Sequence, residues 1–202
     1  MKRLLLLVPK LNGPGNGKKW NKLWTDFLEA EKRNSHWRVV TPGVLTLASM
    51  CDNSRFDVDV VDEEFQAVNQ DIQYDLVAIY TVTPNTKRAY TWADSYRAKG
   101  THVALGGVHA LACQEEARNH ADTLILGEGE KIWPEFLEDF WRGKPRGMYF
   151  QPIGKIDVNE SPIPAFGLLP PNGKKVIPLQ TARGCPHGCK FCNLRNIYGT
   201  GY

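Results

Sequence analysis

Three cysteines near the carboxyl end of the chain carry the strongest chemical signal in the sequence. Cys185, Cys189 and Cys192 stand in the stretch Arg-Gly-Cys-Pro-His-Gly-Cys-Lys-Phe-Cys-Asn at 183–193. Thiolates spaced in this way, with two glycines and a proline loosening the backbone, can converge on one face of a cube-shaped 4Fe–4S cluster. The fourth iron would then have no protein ligand. The spacing therefore predicts an iron–sulfur site.

A zinc ion is the alternative occupant of the same cysteines. Closed structural zinc sites use four ligands, usually two close pairs. His187 could supply a fourth ligand, but it lies between two of the cysteines, which is a poor position for a tetrahedral set. The remaining cysteines are Cys51 and Cys113, and the total of five is odd. These numbers favour a metal or cluster site in a reducing compartment over a disulfide framework.

The cysteine motif, with Phe191 before its last cysteine and an Arg-Gly pair leading into it, resembles the radical S-adenosylmethionine superfamily. The resemblance implies that the three cysteines hold a 4Fe–4S cluster whose open iron is chelated by S-adenosylmethionine. One-electron reduction would then give a 5′-deoxyadenosyl radical. It further implies that Phe191 shields the cluster and S-adenosylmethionine, and that a one-electron reductant such as flavodoxin or ferredoxin is a partner. The protein would position the substrate and exclude quenchers.

The residues before the motif alternate between strand-like and helix-like patterns. Apolar runs of strand length recur at 3–8, 58–61, 76–82, 102–105 and 123–126. Stretches with a helical period lie between them, and the clearest helix follows the last run at 132–141. A parallel strand is reached only by a crossover that lays its helix over the sheet. We therefore predict a doubly wound, flavodoxin-like α/β domain with five parallel strands at 1–145.

Glycine-rich turns follow the fourth and fifth predicted strands. The segments 106–110 and 127–130, with 115–117 and 121–122 between them, are similar to the cobalamin-binding domain that precedes the radical domain in one branch of the superfamily. Glycines at the carboxyl ends of parallel strands let the backbone approach a ligand, and doubly wound sheets bind ligands at that edge. We therefore expect a corrinoid there, beside the loop 9–17. The predicted cobalamin-binding residues are Thr81, Val82, Thr83, Asn85, Gly106, Gly107, His109, Gly127, Glu128 and Gly129.

The sequence also bears on the lower face of a bound corrinoid. The Asp-x-His-x-x-Gly motif, which supplies a lower axial histidine in the methionine-synthase type of cobalamin domain, does not occur. All five histidines lack its context. We therefore expect no protein imidazole on the lower face of bound cobalamin.

Proline and glycine mark a change of organisation after the doubly wound domain. Six prolines fall between 145 and 171, so 146–174 is predicted to be a linker. Residues 175–202 would then form the first strand and cluster loop of a radical domain, which is a partial or full (β/α) barrel. Only ten residues follow Cys192, so this barrel is expected to be truncated. The segment 18–37 is predicted to be an amphipathic helix packed over the first domain.

Composition excludes several classes of partner. The 25 Lys and Arg residues nearly balance the 22 Asp and Glu residues, and no long run of like charge occurs. Nucleic acid is therefore not an expected partner. The apolar run at 4–8 ends at Pro9 and Lys10, far short of a membrane span or a signal-peptide core. The chain is expected to be cytoplasmic.

Three functions remain open at this point. The first is the front part of a cobalamin-dependent radical S-adenosylmethionine enzyme that methylates, cyclises or rearranges an unactivated carbon, inactive as this fragment. Its substrate, whether a small molecule, lipid, tetrapyrrole or natural product, and its catalytic residues stay unassigned. The second is a stand-alone corrinoid-binding module without catalysis. The third is a zinc-binding interaction protein.

Overall fold

The computed structural model describes residues 1–11, 41–152, 156–168 and 178–200. The helix predicted at 18–37 and residues 12–17 of the predicted ligand loop lie outside this part of the chain. The described residues contain one parallel six-stranded sheet with the order β2-β1-β3-β4-β5-β6. Its strands are β1 (Lys2–Val8), β2 (Phe56–Asp62), β3 (Leu76–Tyr80), β4 (His102–Gly106), β5 (Thr123–Leu126) and β6 (Met148–Phe150).

The first strand explains why the sheet is covered on both faces. Four consecutive leucines at 4–7 are all buried. Successive side chains of a strand point to opposite faces, so Leu4 and Leu6 enter one hydrophobic core while Leu5 and Leu7 enter the other. An unbroken apolar strand is typical of a parallel sheet with helices on both sides. The predicted doubly wound α/β fold is confirmed.

The helices divide between the two faces of the sheet. Helices α1 (Pro42–Ser49) and α5 (Gly129–Trp141) pack on one face, while α2 (Thr86–Ala98), α3 (Val108–Ala112) and α4 (Gln114–Arg118) pack on the other. The strongest predicted helix is α5, whose Trp133, Phe136 and Phe140 are buried. The helical stretch between β4 and β5 consists of two short helices, because the backbone of Cys113 leaves the helical region at φ −125° and ψ 56°.

The sheet has one strand more than the predicted five. Met148–Phe150 pairs in parallel with β5, inside the segment predicted to be a linker. Three residues are too few to show a period, so no strand signal is visible there in the sequence. Tyr149 fixes this strand, because its ring is buried against Phe136 and its hydroxyl donates to Asp139 Oδ2 at 2.7 Å.

The remaining described residues contain little regular structure. Two 3₁₀ turns lie at Val158–Glu160 and Phe166–Leu168, and one short helix, α6 (Leu194–Tyr198), follows the cysteine motif. Of the strand expected at 175–181, only 178–181 is described, and these residues are not in a strand. Within the described ranges, no helix combines the length and the apolar character that crossing a membrane would require.

Cys51 belongs to the core beside α1. Its thiol donates to the carbonyl oxygen of Leu47 at 3.3 Å. Burial raises the pKa of this thiol to about 11. Cys51 is therefore a structural residue of the hydrophobic core.

Candidate functional site

A cavity of about 370 Å³ lies at the carboxyl edge of the sheet. Its floor comes from the ends of β1, β3, β4 and β5, and its sides come from the first turns of α1 and α5. A further wall consists of residues 178–180, Arg183 and residues 197–198, which flank the cysteine motif. The cavity extends from the point where the strand order reverses, between β1 and β3, across β4 to β5. The reversal point is the usual ligand position in doubly wound sheets.

Apolar groups form most of the cavity surface. Leu6, Ala78, Ala104 and Ile125 supply the floor, and the Trp133 indole supplies part of one side. The indole Nε1–H donates to the carbonyl oxygen of Leu47 at 3.0 Å, which links α5 to α1 across the site. A mostly apolar space with few polar groups is typical of a cofactor pocket.

Half of the predicted cobalamin residues line this cavity. They are Gly106, Gly107, Gly127, Glu128 and Gly129. The other predicted residues lie near the same edge but do not line it. They are Thr81, Val82, Thr83, Asn85 and His109.

Two of the glycines allow neighbouring backbone segments at the strand ends to pack closely against each other. Gly107 has φ +108°, and a β-carbon built on it would lie 2.5 Å from the carbonyl oxygen of Thr81. Gly127 has φ +98°, and a β-carbon there would collide with the carbonyl oxygen of Gln151. A positive φ and the lack of space for a β-carbon both favour glycine at these two positions. These residues thus shape the cavity rim by closing strand ends against each other.

Thr81 and Asn85 use their polar groups within the protein. The Thr81 hydroxyl donates to the carbonyl oxygen of Gly106 at 2.8 Å and accepts from the Ala110 N–H at 3.1 Å. The Asn85 side chain accepts from the Val82 N–H at 2.9 Å. Its amide donates to the carbonyl oxygens of residues 9 and 80, each at 3.2 Å. Both side chains therefore brace the strand ends that form the cavity floor.

His109 lies on the α2 side of the sheet. It is buried, its Nδ1 lies 3.3 Å from the Thr83 hydroxyl, and its ring packs edge-on against Tyr90. None of the four histidines within the described ranges lines the cavity. The expected lack of a protein imidazole on the lower face of bound cobalamin stays a prediction.

Glu128 lines the cavity, and one of its carboxylate oxygens is unsatisfied. Its side chain is 4% exposed, and Oε1 accepts from Arg183 Nη1 at 2.9 Å. The other oxygen, Oε2, is buried and has no hydrogen-bond partner among the described residues. Leaving a buried acceptor unpaired is costly. Because this oxygen is shielded from solvent, a ligand in the cavity that carries N–H or O–H groups would pair with it after a small rotation of the Glu128 carboxylate.

Arg183 fastens the cysteine-bearing segment to the first turn of α5. Besides Glu128, it binds Glu130 Oε1 at 2.7 Å and the side chain of Gln180 at 3.1 Å. Burial alone would raise the pKa of Glu130, but the hydrogen bonds and charge of Arg183 outweigh it and hold that pKa below its ordinary value. Burial opposes the charge of Arg183 as well, yet the two carboxylates raise its pKa.

The three motif cysteines lie in one loop beside the cavity wall. All three thiols are free; Cys185 is half-buried, whereas Cys189 and Cys192 are exposed. The Cys185 N–H donates to the carbonyl oxygen of Gly199 at 3.1 Å, so α6 closes back onto the start of the loop. Phe191 is 94% exposed. Free, accessible thiols of this number fit the ligand requirement of an iron–sulfur cluster.

Sequence reasoning missed several residues of the site. Tyr80 and Tyr198 line the cavity, and burial raises the pKa of both phenols. Arg183 was visible only as the residue that leads into the cysteine motif. A tyrosine at the end of a predicted strand was the available signal for Tyr80, whereas nothing local pointed to Tyr198.

Comparison with known proteins gives the family. The family described as the B12 binding domain matches residues 33–137. The chain is 37% identical over 165 residues to the bacteriochlorophyllide d C-12(1)-methyltransferase of Chlorobaculum tepidum, covering 79% of this chain and 35% of that protein. It is 35% identical over 152 residues to the C-8(2)-methyltransferase of that organism, covering 72% and 34%.

A more distant relative is the hopanoid C-2 methylase of Rhodopseudomonas palustris, 28% identical over 133 residues, which cover 54% of this chain and 25% of that protein. The chain spans about a third of the length of the two Chlorobaculum tepidum relatives. The family match extends over more than half of the chain and includes β2 to β5 and most of α5. The chain therefore belongs to the B12 binding domain family.

Proposed function

We propose that the chain is the cobalamin-binding front part of a radical S-adenosylmethionine methyltransferase. The observation that carries this proposal is the composition of the cavity wall. One side is the carboxyl edge of the B12-binding sheet, and another is the segment that bears Cys185, Cys189 and Cys192. The Arg183 ion pairs hold these two parts of the chain together.

The reaction class follows from the relatives. Three of them are named as methyltransferases or a methylase, acting on a bacteriochlorophyllide or a hopanoid. Of methylation, cyclisation and rearrangement, methylation is therefore the best supported outcome, and a large, mostly apolar ring system is the proposed substrate class. When bound, cobalamin supplies the methyl carrier, while the cluster with S-adenosylmethionine and a one-electron reductant supplies the radical.

The residues of the chain have separable roles in this proposal. Glu128 Oε2, which is buried and unpaired, would accept a hydrogen bond from an N–H group of a bound corrinoid once the carboxylate turns toward the cavity. The apolar floor and Trp133 exclude water from the space above the sheet. Cys185, Cys189 and Cys192 supply the thiolates for a 4Fe–4S cluster. Arg183 orients Glu128 through its other oxygen and keeps the cysteine loop beside the cavity.

Titration with hydroxocobalamin tests the corrinoid site. We expect one corrinoid per chain, bound about tenfold more weakly by Glu128→Gln, because a hydrogen bond to a charged group contributes about 1.5–3 kcal/mol. Glu130→Gln is the matched control, since it also removes an Arg183 ion pair but leaves Glu128 Oε2 in place. It should weaken binding less. If the wild-type chain forms no tight complex, the proposal is wrong.

Anaerobic reconstitution with iron and sulfide tests the cysteine loop. We expect a brown, oxygen-sensitive protein, and Cys189→Ala should not form it. A corrinoid complex without retained iron would favour a stand-alone corrinoid module. A colourless protein that holds one zinc ion on these cysteines would favour the zinc-binding interaction protein.

Electron paramagnetic resonance of the bound cob(II)alamin tests the lower face. Because no described histidine lines the cavity, we expect no nitrogen superhyperfine splitting from a protein imidazole. Such splitting would contradict the proposed mode of binding.

A further inference from the structure

Three potential metal ligands come together where α3 meets α4, outside the cavity and the cysteine motif. His109, Cys113 and Glu116 each offer one ligand atom, and these atoms all lie within 4.8 Å of one another. The Nε2 atom of His109 lies 3.8 Å from Glu116 Oε1. The backbone break at Cys113 separates the two short helices that carry the other two residues.

The imidazole of His109 is arranged as a metal ligand would be. The residue is 8% exposed, and its Nδ1 lies 3.3 Å from the Thr83 hydroxyl. Its Nε2 is buried and has no hydrogen-bond partner in the part of the chain that the structure describes. If Nδ1–H donates to Thr83, the lone pair on Nε2 faces the other two groups. Metal-binding histidines are commonly oriented by such a hydrogen bond from their second nitrogen.

The ligand types of His109, Cys113 and Glu116 indicate which metal ion would bind. A neutral imidazole, a thiolate and a carboxylate are the ligand types of zinc, and sites with three protein ligands keep a position for water. Bonds of about 2.0–2.2 Å to a tetrahedral ion would place the nitrogen and oxygen roughly 3.4 Å apart. The observed 3.8 Å needs only a small closure. Glu116 can provide it, because its side chain is 56% exposed.

We infer that His109, Cys113 and Glu116 form a site for one zinc ion with an open coordination position. None of these three residues lines the cavity, although Val108 and Leu111 of α3 do, so the metal site adjoins the proposed corrinoid site without sharing a residue with it. Zinc bound there would satisfy the buried Nε2 atom. It would also join α3 to α4 and, through the hydrogen bond between His109 and Thr83, to the 3₁₀ turn at Thr83–Asn85.

The test first removes the competing thiols of the motif. The full chain carrying Cys185→Ser, Cys189→Ser and Cys192→Ser is titrated with Zn²⁺ against a chromophoric chelator, and with Co²⁺ as an optical probe of thiolate ligation. We expect one ion per chain and a thiolate-to-cobalt absorption band. Loss of a residue that only hydrogen-bonds to a metal ligand typically weakens metal sites about 10–100-fold. Loss of a ligand itself should cost at least as much, so Cys113→Ser and Glu116→Gln should each weaken zinc binding at least about tenfold.

The controls separate ligation from folding. Glu115→Gln changes the neighbouring carboxylate on α4 and should leave zinc affinity unchanged, and Cys51→Ser should leave the cobalt band unchanged. Cys113 and Glu116 are partly or largely exposed, so their variants should fold, which circular dichroism would verify. Absence of zinc binding in the triple variant, or binding that neither Cys113→Ser nor Glu116→Gln weakens, would overturn the inference.

Discussion

Replacing Arg183 with Met tests whether ion pairs hold the cysteine-bearing segment against the sheet. The guanidinium is only 13% exposed and its partners Glu128 and Glu130 are 4% and 11% exposed. Removing one partner of a buried ion pair costs about 3–5 kcal/mol, because the remaining charge loses its compensation. The segment can lift and admit water to the two carboxylates. We therefore expect Arg183→Met to weaken docking of the segment by about 3 kcal/mol, the lower end of this range.

Hydrogen exchange in α6 measures this loss. The N–H groups of Ile197 and Gly199 donate to the carbonyl oxygens of Asn193 and Arg195. A helix of five residues is not stable alone in water, so protection of these amides depends on docking. Since about 1.4 kcal/mol corresponds to a tenfold change in an equilibrium constant, the Arg183→Met variant should exchange them about 100-fold faster.

The control for this experiment is Lys190→Met. It removes one positive charge from the same segment at an exposed position, and α6 exchange should be unchanged. Amides of β3 serve as the reference for global stability. An Arg183→Met variant whose α6 amides exchange less than about threefold faster than wild type, an effect worth under about 1 kcal/mol, would refute the docking role of the ion pairs.

Three further predictions follow from single contacts. Arg183 lowers the pKa of Glu130 in the folded protein below its ordinary value of 4.5. The ion pair should therefore stabilise docking fully at pH values above 4.5, and this stabilisation should be lost as the pH falls through the lower pKa of the folded state. Protection of α6 should follow that acid transition, and Arg183→Met should lack it. Gly127→Ala should lower the free energy of unfolding, measured in urea, by about 3 kcal/mol, because the added β-carbon meets both a positive φ and the Gln151 carbonyl. Gly143→Ala is the control, because Gly143 has φ +73° but open space around it, and it should lose only about 1 kcal/mol. Equal losses would contradict the packing argument. Trp133→Phe removes the indole donor, but the Cys51 thiol and the Met50 N–H still donate to the Leu47 carbonyl. The variant should therefore lose only about 0.5–1.5 kcal/mol in the same measurement, and an unchanged stability would show that the indole bond is dispensable.

The sequence predicted the architecture because its signals are local. The leucines at 4–7 mark a buried strand without reference to any other residue, and the aromatic residues of 132–141 mark a helix in the same way. The strand at 148–150 left no such signal, since its place depends on pairing with β5 and on the bond between Tyr149 and Asp139. The period of a sequence cannot reveal a strand of three residues.

The site was predicted less completely than the fold. Glycines at the strand ends located the edge, because their position follows from the order of strands and turns. Which polar side chains would face a ligand depended on contacts distant in sequence. Asn85 is occupied by a carbonyl 76 residues earlier, and Glu128 meets Arg183 55 residues later. Such pairings arise only when the folded chain brings the groups together.

The burial of Cys51 gives the chain an internal reference for counting thiols. At pH 8 its thiol stays protonated, because its pKa is about 11, and the core shields it from reagents. Alkylation of the native chain should therefore modify the other four cysteines, and unfolding should reveal the fifth. Any ion or cluster that occupies thiolates would lower the native count by the number of its ligands. The same silent cysteine would show that the protein had remained folded during the measurement.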